Sequence, residues 1–301
     1  MWRTIMLFYG GIIGLIAAWA ASADAETLQG RTFEIFDARR TDAPAPLILN
    51  LHGAGGSGPG HRRYSDFDAV AAPYGVVVAY PSAPTPRWND GRWDLLGDPE
   101  KAKRDDVGWL VALVDDLVRR GIADPEQIYA IGHSNGGAMV RRLTCDAPDL
   151  LAGASIVGTT LLIGLDCSGG KAIPTAYFMG TNDKIIPFGG RPTGWEGIIP
   201  QNIGKAFSAR ASASLMAVRN GCGIAQPTIM NDDPNDDVVV VRYDHQGCLE
   251  PMVFYEMRGG GHVWPGGAEI PAGPLRDALG GAIRDIDAGV ETMRLWFGGA
   301  L

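Results

Sequence analysis

The pentapeptide Gly132-His133-Ser134-Asn135-Gly136 constrains this chain more than any other stretch. A serine with glycine two positions away on either side suits a sharp, strained strand-to-helix turn, where a side chain at either glycine would strike neighbouring backbone. The flanks agree. An apolar, β-rich run, "QIYAIG", enters the turn, and "NGGAMVRRL" leaves it as a helix. A serine Oγ at that helix N-terminus is placed as a nucleophile, and the helix dipole favours a developing anion there.

The rest of the chain repeats the strand-then-helix rhythm. Apolar runs at 47–51, 75–80, 127–131, 152–157, 175–179, 238–243 and 252–256 read as strands, and 107–117, 135–145, 205–219 and 282–297 as helices. Asp105 and Asp106 are placed to cap the first of these helices, and Arg119, Arg120 and Gly121 to close it. Such alternation predicts an α/β fold with a mostly parallel central sheet and helices on both faces. No repeat or linker divides it, so residues 26–301 are expected to form one catalytic domain. Long loops are expected at 81–104, 184–204, 225–237 and 258–276, and in open α/β sheets the loops at strand carboxyl ends build the site. Trp93, Trp109, Trp195 and Trp264 are candidates to line a pocket for a flat substrate, against the plainer role of fastening loops to the body.

Composition sets the surroundings. A net charge of −8 with no basic stretch excludes a nucleic-acid binder, which needs cations to displace phosphate counterions. Arg3, the apolar run 5–21 and the small residues Ala21-Ser22-Ala23-Asp24-Ala25 read as a signal peptide over 1–25. The mature chain is therefore expected to be secreted or periplasmic, with no stable membrane anchor once the leader is cleaved. Four cysteines in an exported chain, Cys145, Cys167, Cys222 and Cys248, imply two disulfides. Three connectivities are open; the sequential one is favoured because each bridge would staple a loop between neighbouring elements. No C-x-x-C occurs and the five histidines are scattered, so neither a metal site nor a cofactor is expected.

Acyl transfer also needs an oxyanion hole, a base and an acid. The loop His52-Gly53-Ala54-Gly55-Gly56-Ser57-Gly58 follows a buried strand and can aim backbone N–H groups at an oxyanion. Ala54 is the leading donor there, with Gly53 or Gly55 next, and Asn135 supplies the second N–H. A phosphate-cradling loop would need a following Lys, a clear helix or a ribose-binding acid, none of which is read here. The base is expected at His262, in "GGGHVWPGG" after a strand, rather than at His245. The acid is expected at Asp183, just past a strand end, with Asp166 and Asp232 as alternatives lacking a strand directly behind them.

The segments "LHGAGGSG", "DDVGWL", "IYAIGHSNGGAM", "FMGTNDKIIPFGG" and "GGGHVWPGG" together resemble the secreted polyhydroxybutyrate depolymerase and feruloyl esterase family, which includes carbohydrate esterase family one. The resemblance runs over roughly residues 30 to 297. It implies an α/β-hydrolase fold, a Ser134–Asp183–His262 triad and the sequential disulfide pairing. Some fungal feruloyl esterases and tannases carry a Cys directly before the serine; here His133 stands there, as in the single-domain bacterial branch. With no binding domain read after Leu301, a feruloyl, cinnamoyl or related carbohydrate ester is expected, with a poly(3-hydroxybutyrate) or oligomer depolymerase as the alternative. A catalytically silent carbohydrate- or polymer-binding protein ranks lower, since it needs neither triad nor oxyanion loop.

Overall fold

The computed structural model describes residues 25–165, 167, 170–191, 205–232 and 237–298. The leader read over 1–25 lies outside these apart from Ala25, as do Asp166 and Trp195. The strands in chain order are β1 (Glu26–Leu28), β2 (Arg31–Asp37), β3 (Ala45–Leu51), β4 (Val77–Pro81), β5 (Ala123–His133), β6 (Gly153–Val157), β7 (Thr175–Gly180), β8 (Ala225–Asp232), β9 (Val239–His245) and β10 (Met252–Arg258). They form one sheet in the order β1-β2-β4-β3-β5-β6-β7-β10-β9-β8. The six from β4 to β10 run parallel, and an antiparallel pair extends the sheet at each margin.

The parallel strands are apolar on both faces because both faces are covered. In β3 the odd positions Leu47, Leu49 and Leu51 join one core, which includes Trp109, Leu110, Met139, Ala213 and Met216. Ile48 joins the other, with Phe67, Val78, Trp264 and Met293. The helices are α1 (Gly58–Ser65), α2 (Phe67–Ala71), α3 (Arg92–Leu95), α4 (Pro99–Ala102), α5 (Asp106–Arg119), α6 (Asn135–Asp146), α7 (Ala209–Arg219), α8 (Pro274–Leu279) and α9 (Ala288–Phe297). Core residues of α5, α6 and α7 fall in the first cluster and those of α2 and α9 in the second, giving three layers.

Several sequence expectations are corrected here. Strands β1 and β2 went unread; Gln29 (φ 49°) and Gly30 (φ 78°) make their two-residue turn, with both central residues in the left-handed region that such hairpins require. The segment expected as a loop at 225–237 contains β8, an edge strand whose Ile229 is exposed; pairing with β9, rather than its own periodicity, makes it a strand. The glycine-rich loop does lead into a helix, α1, capped by the Ser57 hydroxyl accepting from the Gly60 N–H. Helices expected at 205–219 and 282–297 begin later, at Ala209 and Ala288, where Ser208 and Asp287 provide side-chain caps. Asp105 caps α5 as read, but Asp106 is buried and accepts from Arg31 and the Asn89 N–H. Both disulfides, Cys145–Cys167 and Cys222–Cys248, have the sequential pairing.

Candidate active site

Ser134 sits at the β5–α6 junction with φ 56° and ψ −120°, a strained conformation for a residue with a side chain. The flanking glycines explain how the turn fits. A Cβ on Gly132 would lie 2.5 Å from the Gly136 carbonyl, and one on Gly136 would strike the Leu51 carbonyl and come within 2.6 Å of the His52 oxygen. The elbow is thus wedged against the end of β3, the strand that leads into the glycine-rich loop.

Three loops bring the predicted residues together. His262 Nε2 lies 2.9 Å from Ser134 Oγ, and His262 Nδ1 lies 2.6 Å from Asp183 Oδ2. In the tautomer with the proton on Nδ1, the ring donates to Asp183 and accepts from the serine hydroxyl. The other oxygen, Asp183 Oδ1, accepts from the Ile185 and Ile186 N–H groups at 2.8 and 2.7 Å, which fixes the carboxylate. Asp183 and His262 are buried, so their contact is little screened by water. His245 ends β9, its Nδ1 3.3 Å from the Met252 carbonyl, and Asp232 ends β8 at the sheet margin.

The glycine-rich loop narrows the choice of oxyanion donor. Gly55 N–H is taken by the Pro86 carbonyl at 2.6 Å and Gly56 N–H by that of Gly53 at 3.1 Å. Among the described residues, the N–H groups of Gly53, Ala54 and Asn135 have no acceptor. A Cβ on Gly53 would sit 3.3 Å from Ser134 Cβ, so this loop rides directly over the serine. His52 supports it: Nδ1–H donates to the Gly53 carbonyl at 2.7 Å, while Nε2 accepts from Ala83 N–H at 3.0 Å.

The tryptophans divide. Trp93 is mostly buried and lines a cleft of about 520 Å³ with Pro86, Arg87 and Lys101, whose Nζ lies 4.6 Å over its ring. Trp109 and Trp264 correct the expectation, because both are core residues. Trp109 packs under β1, donating to the Leu28 carbonyl with Arg31 over its ring, and Trp264 meets His61 and Phe67 edge-on. From sequence Trp88 is one more loop tryptophan with no assigned role, and Asp90 carries no reading at all. The Asn135 side chain accepts from Trp88 N–H at 2.7 Å and donates to Asp90 at 2.9 Å, while the Trp88 indole donates to the His52 carbonyl at 3.0 Å. His133, beside the serine, is buried with its ring 4.9 Å from that of His262; burial first, and then His262, hold it well below the ordinary histidine range, so it stays neutral.

An elbow at the carboxyl end of a central parallel strand, in a sheet covered on both faces, defines an α/β-hydrolase fold. An acetyl xylan esterase from Aspergillus awamori shares it, with a TM-score of 0.54 at 15% identity, covering 85% of this chain and 97% of that one. NocK of Nocardia uniformis subsp. tsuyamanensis, whose name places it among esterases, is 32% identical over 79% of this chain and 69% of its own length. The chain belongs to this esterase family, whose relatives also include feruloyl esterases and a poly(3-hydroxybutyrate) depolymerase, and it is a carboxylic ester hydrolase. Feruloyl esterase B of Piromyces equi is 26% identical over 60% of this chain and 33% of its own length. The depolymerase of Ralstonia pickettii is 33% identical over 44% of this chain and 27% of its own. The chain thus spans about a third or less of those two relatives. No family model matches it.

Proposed function

We propose that the chain is a secreted or periplasmic serine esterase acting on feruloyl, cinnamoyl or related carbohydrate esters. The observation that carries the mechanism is the continuous relay from Ser134 Oγ through His262 to Asp183, at 2.9 and 2.6 Å. His262 takes the serine proton as Oγ attacks the ester carbonyl, and Asp183 holds the ring in the tautomer this needs. The N–H groups of Ala54 and Asn135 receive the oxyanion. The protonated His262 then gives its proton to the departing alcohol, leaving an acyl-serine. Water, deprotonated by the same nitrogen, attacks that acyl group and restores Ser134. The feruloyl esterases among the relatives support the substrate class, and the two disulfides and the leader sequence support export.

Ser134→Ala is expected to lower kcat on a p-nitrophenyl ester by about three orders of magnitude or more, with an unchanged circular dichroism spectrum. A fluorophosphonate probe should label the wild type and not the variant. Retained turnover in the variant would sink the mechanism. On substrate, kcat/KM for methyl ferulate against a soluble 3-hydroxybutyrate oligomer decides between the two ester classes.

A further inference from the structure

Asp90 and Arg92 lie two residues apart just after Trp88, and both are buried, at 1% and 6% exposure. Arg92 Nε donates to Asp90 Oδ1 at 2.7 Å and to Oδ2 at 2.8 Å, Nη2 donates to Oδ2, and the Arg92 N–H donates to Oδ1 at 3.3 Å. The carboxylate thus draws its counter-charge from its own loop. A buried ion pair seldom adds stability over apolar side chains of similar volume, because desolvating both charges offsets their attraction. This pair has a further partner. Asp90 Oδ2 accepts from Asn135 Nδ2 at 2.9 Å, at the start of α6 and 45 residues along the chain.

The Asn135 side-chain amide is spent on this loop. Its Oδ1 accepts from the Trp88 N–H at 2.7 Å, and Nδ2 donates to the Trp88 carbonyl at 3.2 Å as well as to Asp90. With its oxygen and both amide hydrogens engaged, the group has one orientation, and of the three bonds only that to Asp90 is charge-assisted. Further along α6, Arg142 Nη1 donates to the Asn89 carbonyl at 2.7 Å, so the helix meets three successive loop residues. The peptide that carries the Asn135 N–H is also held from its other end. Ser134 N–H donates to the Val157 carbonyl at 2.7 Å, and the Ser134 carbonyl accepts from the Ala138 N–H at 3.0 Å. The φ of 56° at Ser134 is costly for a residue with a side chain, and a turn of that kind persists only where its surroundings fix it on both sides. The Asn135 amide is the fixture on the helix side.

We propose that Asp90 and Arg92 are positioning residues for the reaction: through the Asn135 side chain they hold the Asn135 N–H in the direction from which it meets the oxyanion. This rests on the serine-esterase reading above and adds two residues that act at one remove from the ester. The experiment is a double-mutant cycle on p-nitrophenyl acetate. Asn135→Ala keeps the N–H and removes its side-chain anchor. Its kcat is expected to fall about 10- to 100-fold with KM within about two-fold of wild type, short of the about 10²- to 10³-fold for losing a donor outright. Asp90→Asn keeps an acceptor without the charge and should lower kcat about ten-fold. The double variant should be no slower than Asn135→Ala, because both substitutions break the same link. Ki for a trifluoromethyl ketone, whose serine adduct carries the oxyanion, should rise in step with the fall in kcat/KM in each variant. If Asp90→Asn does not fold with Arg92 left unpaired, Asp90→Asn/Arg92→Met, which removes both charges, takes its place in the cycle.

Losses that multiply in the double variant overturn the proposal, because Asp90 would then act by a route other than Asn135. So does an Asn135→Ala variant with the kcat of the wild type, or a loss carried by KM with an unmoved Ki. Absence of p-nitrophenyl acetate turnover in the wild type, or its retention in Ser134→Ala, would instead remove the esterase reading, and the positioning role with it.

Discussion

His61 offers a measurable test of how the second core is built. It lies on α1, its Nε2 2.9 Å from Asn50 Oδ1 and its ring edge-on to Trp264 at 5.2 Å. The titratable groups around it are Tyr64, at 6.3 Å between ring centres, and the buried His52 and His133. Burial, with a smaller contribution from His52, takes its pKa from 6.5 to about 3. A folded pKa below the unfolded one means the unfolded chain takes up the proton first. The neutral ring costs nothing above pH 6.5, and stability falls as pH drops below that value until the folded ring titrates near 3. At about pH 4.5 the gap is two pH units, or about 3 kcal/mol at ~1.4 kcal/mol per unit. Urea unfolding followed by tryptophan fluorescence at about pH 7 and 4.5 would measure it for wild type and His61→Gln, which keeps a donor towards Asn50. The wild type should lose about 3 kcal/mol more than the variant on acidification. Equal losses would refute the placement of a neutral, desolvated histidine at this position.

Two further outcomes follow from the same geometry. Asp183→Asn removes the acceptor that fixes the His262 tautomer, so kcat on a p-nitrophenyl ester should fall by about 10³- to 10⁴-fold while thermal unfolding moves little; a small kinetic effect would point to another acid. Reducing both disulfides frees loops of 22 and 26 residues, each worth about 3 kcal/mol of unfolded-chain entropy, so the midpoint in urea should drop sharply with dithiothreitol and stay put if the bridges do not form in solution.

The residues proposed to react can be picked out in the sequence because the chemistry proposed for them leaves short-range marks. Ser134 is announced by glycines needed two positions away, and Asp183 and His262 follow strands whose apolar runs are unmistakable. What escaped reading depends on partners distant in sequence. Strand β8 is polar and carries a proline, and only its ladder with β9 makes it a strand. Trp93, Trp109 and Trp264 are all buried, but Trp93 lines a cleft while the other two join the cores, and that packing is set by the whole fold.

The clamp formed by Asn135, Trp88 and His52 has a mechanical consequence. One end of Trp88 is gripped by the residue after the serine, and its indole grips the carbonyl that opens the glycine-rich loop. Two segments about eighty residues apart in the chain, at His52 and Asn135, are therefore tied together through Trp88. On the proposed mechanism, the N–H groups offered to the oxyanion are oriented when the protein folds, not when the ester arrives, so little solvent or backbone rearrangement is left for the chemical step. On that reading, a change that loosens Trp88 disturbs both proposed donors together.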